Sequence, residues 1–135
     1  MQKARIQMAS EHFIIPYPVT KEGRKAWAKS YGANAYYAGK HWSARREDAE
    51  FWHSLVRYQM REQKVRQRPF RKPVMLYFYW NDNLDLSNHS VMAKMIEDAL
   101  KGVLIKDDDR RHVVGISHFW HDKNFIGVGI KEEEE

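Results

Sequence analysis

Residues 74–80 read Val-Met-Leu-Tyr-Phe-Tyr-Trp, seven apolar or aromatic side chains in succession. Successive side chains of a strand point to opposite faces, so a run without polar alternation suits a central strand buried on both sides. The chain must therefore build a sheet around this segment and lay helices on it. Residues 11–19 read as another strand, closed by Pro16 and Pro18. Ser43 is a suitable cap for a helix predicted to run to about Gln67, with Glu47 and Asp48 in its opening turns. Ala49, Trp52, Val56 and Met60 recur along it at helical spacing, with Leu55 alongside, and Pro69 and Pro73 end it. A second helix is predicted from about Asn88 to Lys101, with Met92, Ile96, Ala99 and Leu100 facing inward and Gly102 at its end. Residues 112–120 and 124–130 read as two strands joined as a hairpin by His-Asp-Lys-Asn. Residues 20–42 show no hydrophobic period and read as a long irregular loop, a kind that is often functional or disordered. The pattern predicts a single α+β domain over residues 1–131, a mixed β-sheet with two main helices packed on it, followed by an acidic tail, 132–135, without order.

A chain of 135 residues fits one domain and contains no cysteine, which excludes disulfides, thiolate zinc sites and cysteine catalysis. No apolar run approaches the roughly 18 residues of a membrane span, and the first residues lack the apolar core of a signal peptide. The expected setting is the cytoplasm, with no membrane partner. The net charge is +5, and without the four glutamates of the tail the remainder carries +9. A basic surface is the electrostatic footprint of a nucleic-acid binder, although a solvated lysine-rich face gives the same composition. The basic candidates are Arg45 and Arg46 at the start of the first long helix and Arg57, Arg61 and Lys64 further along it. Before that helix, Asn34, Tyr36, Tyr37, Lys40, His41 and Trp42 interleave aromatic and basic groups. Such a mixture can stack bases and neutralise phosphates, or can simply be core.

The chemistry concentrates between Asn83 and Val113. Asp82, Asp85, Ser87 and Asn88 follow the end of the 74–80 strand, the next helix places Lys94 and Asp98 four apart on one face, and Asp107, Asp108 and Asp109 come just after it. Asp85, Ser87 and Asn88 are each good helix-capping types, and Lys94 and Asp98 could merely pair with each other. As a set, carboxylates from two different elements suit a hard cation such as Mg²⁺, which takes oxygen ligands and keeps several waters. Lys94 would then meet Asp85 and Asp108 and offset charge developing on phosphorus or a leaving oxygen. His118 and His121, three apart on a strand, face opposite ways and make no zinc pair, and His89 reads as a solvated side chain near the site. Gly127 and Gly129 within a strand mark a bulge or close packing.

The pattern Asp-x-x-Asn, a helical Lys six residues on, Asp-Ala-Leu four further, then Gly and a hydrophobic-Lys-Asp-Asp segment resembles the RusA-type Holliday junction resolvases, in particular their phage and prophage variants. The resemblance covers about residues 74–130, with a weaker echo in Asn34-Ala-Tyr36-Tyr37. It implies a Mg²⁺-dependent endonuclease (Mn²⁺ a possible substitute) that resolves branched DNA as a homodimer. Carried over, Asp85, Asn88, Lys94, Asp98 and Asp108 are the active-site residues, and Asp85 and Asp108 hold metal, with Asp107 or Asp109 replacing Asp108 if the register slips by one. Ser87 stands where the family has a second essential Asp; anchored instead on Lys94 and Asp98, the alignment puts Asn88 and Ser90 at the two Asp positions. Either way one carboxylate is missing, which Asp82 could supply. The alternative expectation is a non-catalytic phage DNA-binding protein of the same fold with a degraded metal site; an adaptor for other proteins has only the aromatic surface in its favour.

Overall fold

A computed structural model describes residues 9–133. The elements are β1 (Glu11–Pro16), α1 (Lys21–Tyr31), α2 (Ala33–Tyr37), α3 (Trp42–Glu62), β2 (Val74–Trp80), a 3-10 turn (Leu86–His89), α4 (Ser90–Leu100), β3 (Val113–Trp120) and β4 (Phe125–Glu132). They form one α+β domain with a mixed four-stranded sheet in the order β1-β4-β2-β3. β2 and β3 are parallel and joined through α4, while β4 lies antiparallel between β1 and β2. No helix among the described residues is long and apolar enough to cross a membrane.

Alternate residues of β2 decide where the core lies. Val74, Leu76, Phe78 and Trp80 are fully buried, and the register sets them beside Ile130 and Val128 of β4. Phe13 and Ile15 of β1 extend the same face. Trp52, Val56 and Met60 of α3 and Met92, Ile96, Ala99 and Leu100 of α4 pack on it. These helix positions recur every three or four residues, the spacing that makes one apolar stripe. Ala49, placed on that stripe by periodicity, is instead exposed.

The backbone departs from the sequence reading in further places. Residues 20–42 are not an irregular loop but carry α1 and α2. Thr20 caps α1 by accepting a hydrogen bond from the Gly23 N–H at 2.9 Å, and the helix attaches through the half-buried Trp27 and Tyr31, whose rings lie 4.9 and 5.3 Å from Trp52. The long helix stops at Glu62, not near Gln67. Lys64 takes a left-handed φ of +57°, its N–H bonds to Arg61 O and that of Val65 reaches back to Met60 O, a Schellman closure made without glycine. β3 and β4 are not a hairpin: residues 121–124 pass over the end of β2, held by His121 N–H to Trp80 O and Asn81 Nδ2 to Lys123 O. Glu132, assigned to the tail, is the last residue of β4, and the Glu133 N–H bonds to Pro73 O; Glu134 and Glu135 lie outside the described residues.

The two edges of the sheet differ. At β1 the side-chain amide of Gln63 pairs with both the N–H and the C=O of Ile14, each at 2.8 Å, and occupies that edge. β3 has no neighbour on its outer side among the described residues. It carries neither proline nor a carboxylate or lysine, and exposes Val114, Ile116 and Trp120.

Candidate active site

The chain leaves the buried Trp80 and turns through Asn81–Asp85 into the 3-10 turn that starts α4. Asp82 organises this turn. It accepts from the Leu84 N–H at 2.9 Å and from the Tyr17 hydroxyl at 3.3 Å, and both its oxygens lie 2.9 Å from Nε2 of His89. His89 is fully buried, not solvated. Trp80 stacks on its ring at 4.3 Å and Trp120 meets it edge-on at 5.5 Å. Nδ1 of His89 faces Leu86 O at 2.8 Å. Both ring nitrogens thus face oxygen atoms, and the buried ring is fixed in place from both sides. His118, whose Nδ1 accepts from Trp80 Nε1 at 3.0 Å, is held below the ordinary histidine range by burial and by the nearby charge of His89.

On the exposed side of α4, five charged groups meet. Lys94 Nζ lies 2.6 Å from Asp108, 3.2 Å from Asp98 and 3.7 Å from Glu97. Lys101 Nζ reaches the same two aspartates at 3.1 and 3.4 Å. The chain brings Asp108 back to the helix because Gly102 takes φ +82° just past the helix end and bonds to Ile105 O at 2.7 Å. Hydrogen bonding to Lys94 and then to Lys101 holds the Asp108 carboxyl far below the usual range, and the Asp108 contact raises Lys94 well above its own. Burial pushes Glu97 up. The cluster is a set of hard oxygen donors from two segments around two cationic nitrogens.

The expected site residues divide clearly. Lys94, Asp98 and Asp108 come together; Asp85 does not join them. Its side chain is exposed, makes no capping hydrogen bond, and has no ion pair among the described residues. Asp107 is turned to the Asp108 N–H at 2.8 Å. Asp109 pairs with Arg111 and then His112, which lowers its carboxyl to about 2. Asn88 accepts from the Asn34 N–H at 2.7 Å and so fastens α2 to the turn. Ser87 is exposed. Asp82 cannot supply the missing ligand in this geometry, since its carboxylate is committed to His89.

The basic candidates divide too. Arg57 is a structural residue: its guanidinium donates to Ala99 O at 2.8 Å and Lys101 O at 2.6 Å, carbonyls that α4 leaves open at its end. Tyr36 is buried. Lys40 pairs with Asp48, donates to Ser30 O at 3.1 Å and sits 4.9 Å over the Tyr36 ring. Arg45 donates to Tyr36 O at 3.2 Å. His41 caps α3 through the Ser43 N–H. Arg46 pairs loosely with Glu50 at 3.6 Å, and Arg61 and Lys64 are exposed. Tyr37 and Trp42 remain open, 64 and 69 % exposed, beside this cationic group.

Four participants escaped the sequence reading: Glu97, Lys101, and the Asp82–His89 pair in its role. Lys101 lies seven residues after Lys94, two turns on the same face, and that spacing could have found it. No protein-family model matches the chain, and no curated protein matches it either.

Proposed function

We propose that this protein is a Mg²⁺-dependent, structure-selective endodeoxyribonuclease acting on branched DNA, as the resemblance to RusA-type resolvases implies. The observation that carries the reading is the meeting of Lys94, Asp98 and Asp108, three marked positions from two segments, within 3.2 Å of one nitrogen. What supports a hard cation here is the donor set, the carboxylates of Asp98 and Asp108 from two segments; an ion would have to displace the Lys94 and Lys101 ammonium groups that lie 3.2 and 3.4 Å from the buried Asp98 Oδ1. Asp98 and Asp108 would hold the ion, and the chemistry it supplies is the activation of water and the stabilisation of a leaving oxygen. Lys94, released from Asp108 by the metal charge, would face the phosphate and offset negative charge there. Tyr37, Trp42, Arg46 and Arg61 would contact the strands. Cutting two symmetry-related strands calls for a two-fold dimer, and β3, last in the sheet order among the described residues, would be self-complementary when paired antiparallel with its copy.

A second reading, a DNA-binding protein of this fold that does not cut, is favoured by Ser87 at the expected carboxylate position and by the two ammonium groups that already neutralise Asp108. The deciding experiment is cleavage of a labelled four-way junction with and without Mg²⁺ or Mn²⁺, alongside junction binding. Metal-dependent nicking lost in Asp108→Asn, with binding retained, supports the nuclease. Tight junction binding with no nicking under any metal, unchanged in Ser87→Asp, establishes the second reading. Equal and salt-insensitive affinity for junction and linear duplex would remove both.

A further inference from the structure

The geometry points to a second nucleic-acid contact: the cleft between α1 and the end of β2 takes the phosphodiester backbone of a DNA strand. The cleft encloses about 380 Å³ and is lined by Lys21, Arg24 and Lys25 of α1 and by Asn81, Asp82 and Asn83. Arg24 is a fixed cation at its floor. Its Nη2 donates to Asn81 O at 2.7 Å, its Nη1 to the Asn124 side chain, and its guanidinium lies 4.7 Å from the Tyr17 ring centroid. Lys21 and Lys25 stand one helical turn apart on the exposed rim, with no ion pair among the described residues. Asp82, the one carboxylate in the lining, is turned to His89 and Tyr17.

Three cations facing one carboxylate that is itself compensated select an anion. The volume exceeds what a bare phosphate fills and falls in the range of ordinary ligand pockets. Two exposed lysines in the lining suit a polyanionic chain that enters and leaves. The thirteen residues of 20–32 thus have a use beyond packing: α1 buries no residue fully, yet it is capped, anchored by two aromatics and aimed at this cleft. The wall Asn81–Asn83 continues directly into the turn bearing Asn88, so the strand contact and the candidate site share one segment.

The choice of ligand rests on the DNA reading above, and the test separates the two. Affinities for labelled single-stranded, duplex and four-way junction DNA are measured by fluorescence anisotropy across a salt series, for wild type, for Lys21→Gln/Lys25→Gln, and for Arg71→Gln/Lys72→Gln. The last pair removes the same charge from exposed positions at the opposite end of β2. The cleft variant is expected to bind about tenfold more weakly and to lose roughly 1.4–1.8 from the slope of log affinity against log salt, two phosphate contacts' worth, while the control changes little. Equal weakening in both variants, or in neither, overturns the cleft and leaves the nuclease reading standing. Wild type that binds no DNA removes both. Inorganic phosphate that shifts the amide resonances of residues 21–25, while the cleft variant binds DNA as wild type does, reassigns the cleft to a free anion and overturns the strand contact.

Discussion

Two nitrogens, Lys94 Nζ first and Lys101 Nζ beside it, set the electrostatics of the exposed site, and its pH behaviour follows from the directions of the shifts around them. Asp108 is held low by Lys94 and Lys101. Its contribution is present above the unfolded carboxylate value, about 4, and is lost as the pH falls through the lower folded value. Lys94 is raised, so its share is present below about 10.4 and is lost only as the pH rises through its higher folded value. Thermal melts of wild type are therefore expected to lose stability on acidification below about pH 4. Asp108→Asn should melt lower than wild type at pH 7, and the gap should narrow progressively as the pH falls below about 4. Curves that run parallel over the whole range would show that the contact adds nothing. A second residue-scale expectation concerns Lys64, which takes a left-handed φ at the end of α3. Left-handed backbone costs an ordinary residue about 1–2 kcal/mol, so Lys64→Gly should raise unfolding stability by about 0.5–1 kcal/mol net of glycine's entropy; urea titration reads this directly, and a loss of stability would contradict the Schellman account. The same lesson governs what could be read from the residues. Lys94, Asp98 and Asp108 were legible because helical spacing and a short return loop leave them few other places to go. His89 was not, because a polar residue in a turn looks solvated until two tryptophans from different strands are known to enclose it.

Among the elements, β2 and α4 were legible because their patterns are forced: an apolar run that must be central, and a stripe at helical period. α1 and α2 were not, because neither buries enough residues to show a period; α1 is held by Trp27 and Tyr31 on one side and is otherwise charged. The β3–β4 pair looked like a hairpin because a four-residue link between two strands is a hairpin in most settings. What overrides it is β2, whose two apolar faces come with pairing on both edges, β3 on one and β4 on the other. The thin attachment of α1 has a measurable effect. Trp27→Ala should strip amide-exchange protection from residues 21–31 while leaving α3 protected, since Trp52 stays covered by the rest of the core. Simultaneous loss of protection in α3 would mean that α1 is integral to the core and not an addition to it.

For the whole molecule, the unequal edges of the sheet direct association. Gln63 blocks β1, while β3 has no strand on its outer side among the described residues and exposes Val114, Ile116 and Trp120. Wild type is expected to sediment as a dimer and Ile116→Lys as a monomer of unchanged fold; a dimer that survives the substitution would move the interface elsewhere. The strand order carries a consequence in time. β4 is the last of the four to be synthesised, yet it is an inner strand, pairing Glu11 with Ile130 on one side and Leu76 with Ile130 on the other. At about 5–20 residues per second, β1 waits for its partner through most of the translation of the chain. Nothing before residue 125 can join β1 to β2, so until β4 is made β1 has no strand partner and β2 is paired with β3 on one edge alone. A chaperone that holds the unpartnered β1 on ribosome-bound chains is therefore expected to leave only after Phe125–Glu132 emerges.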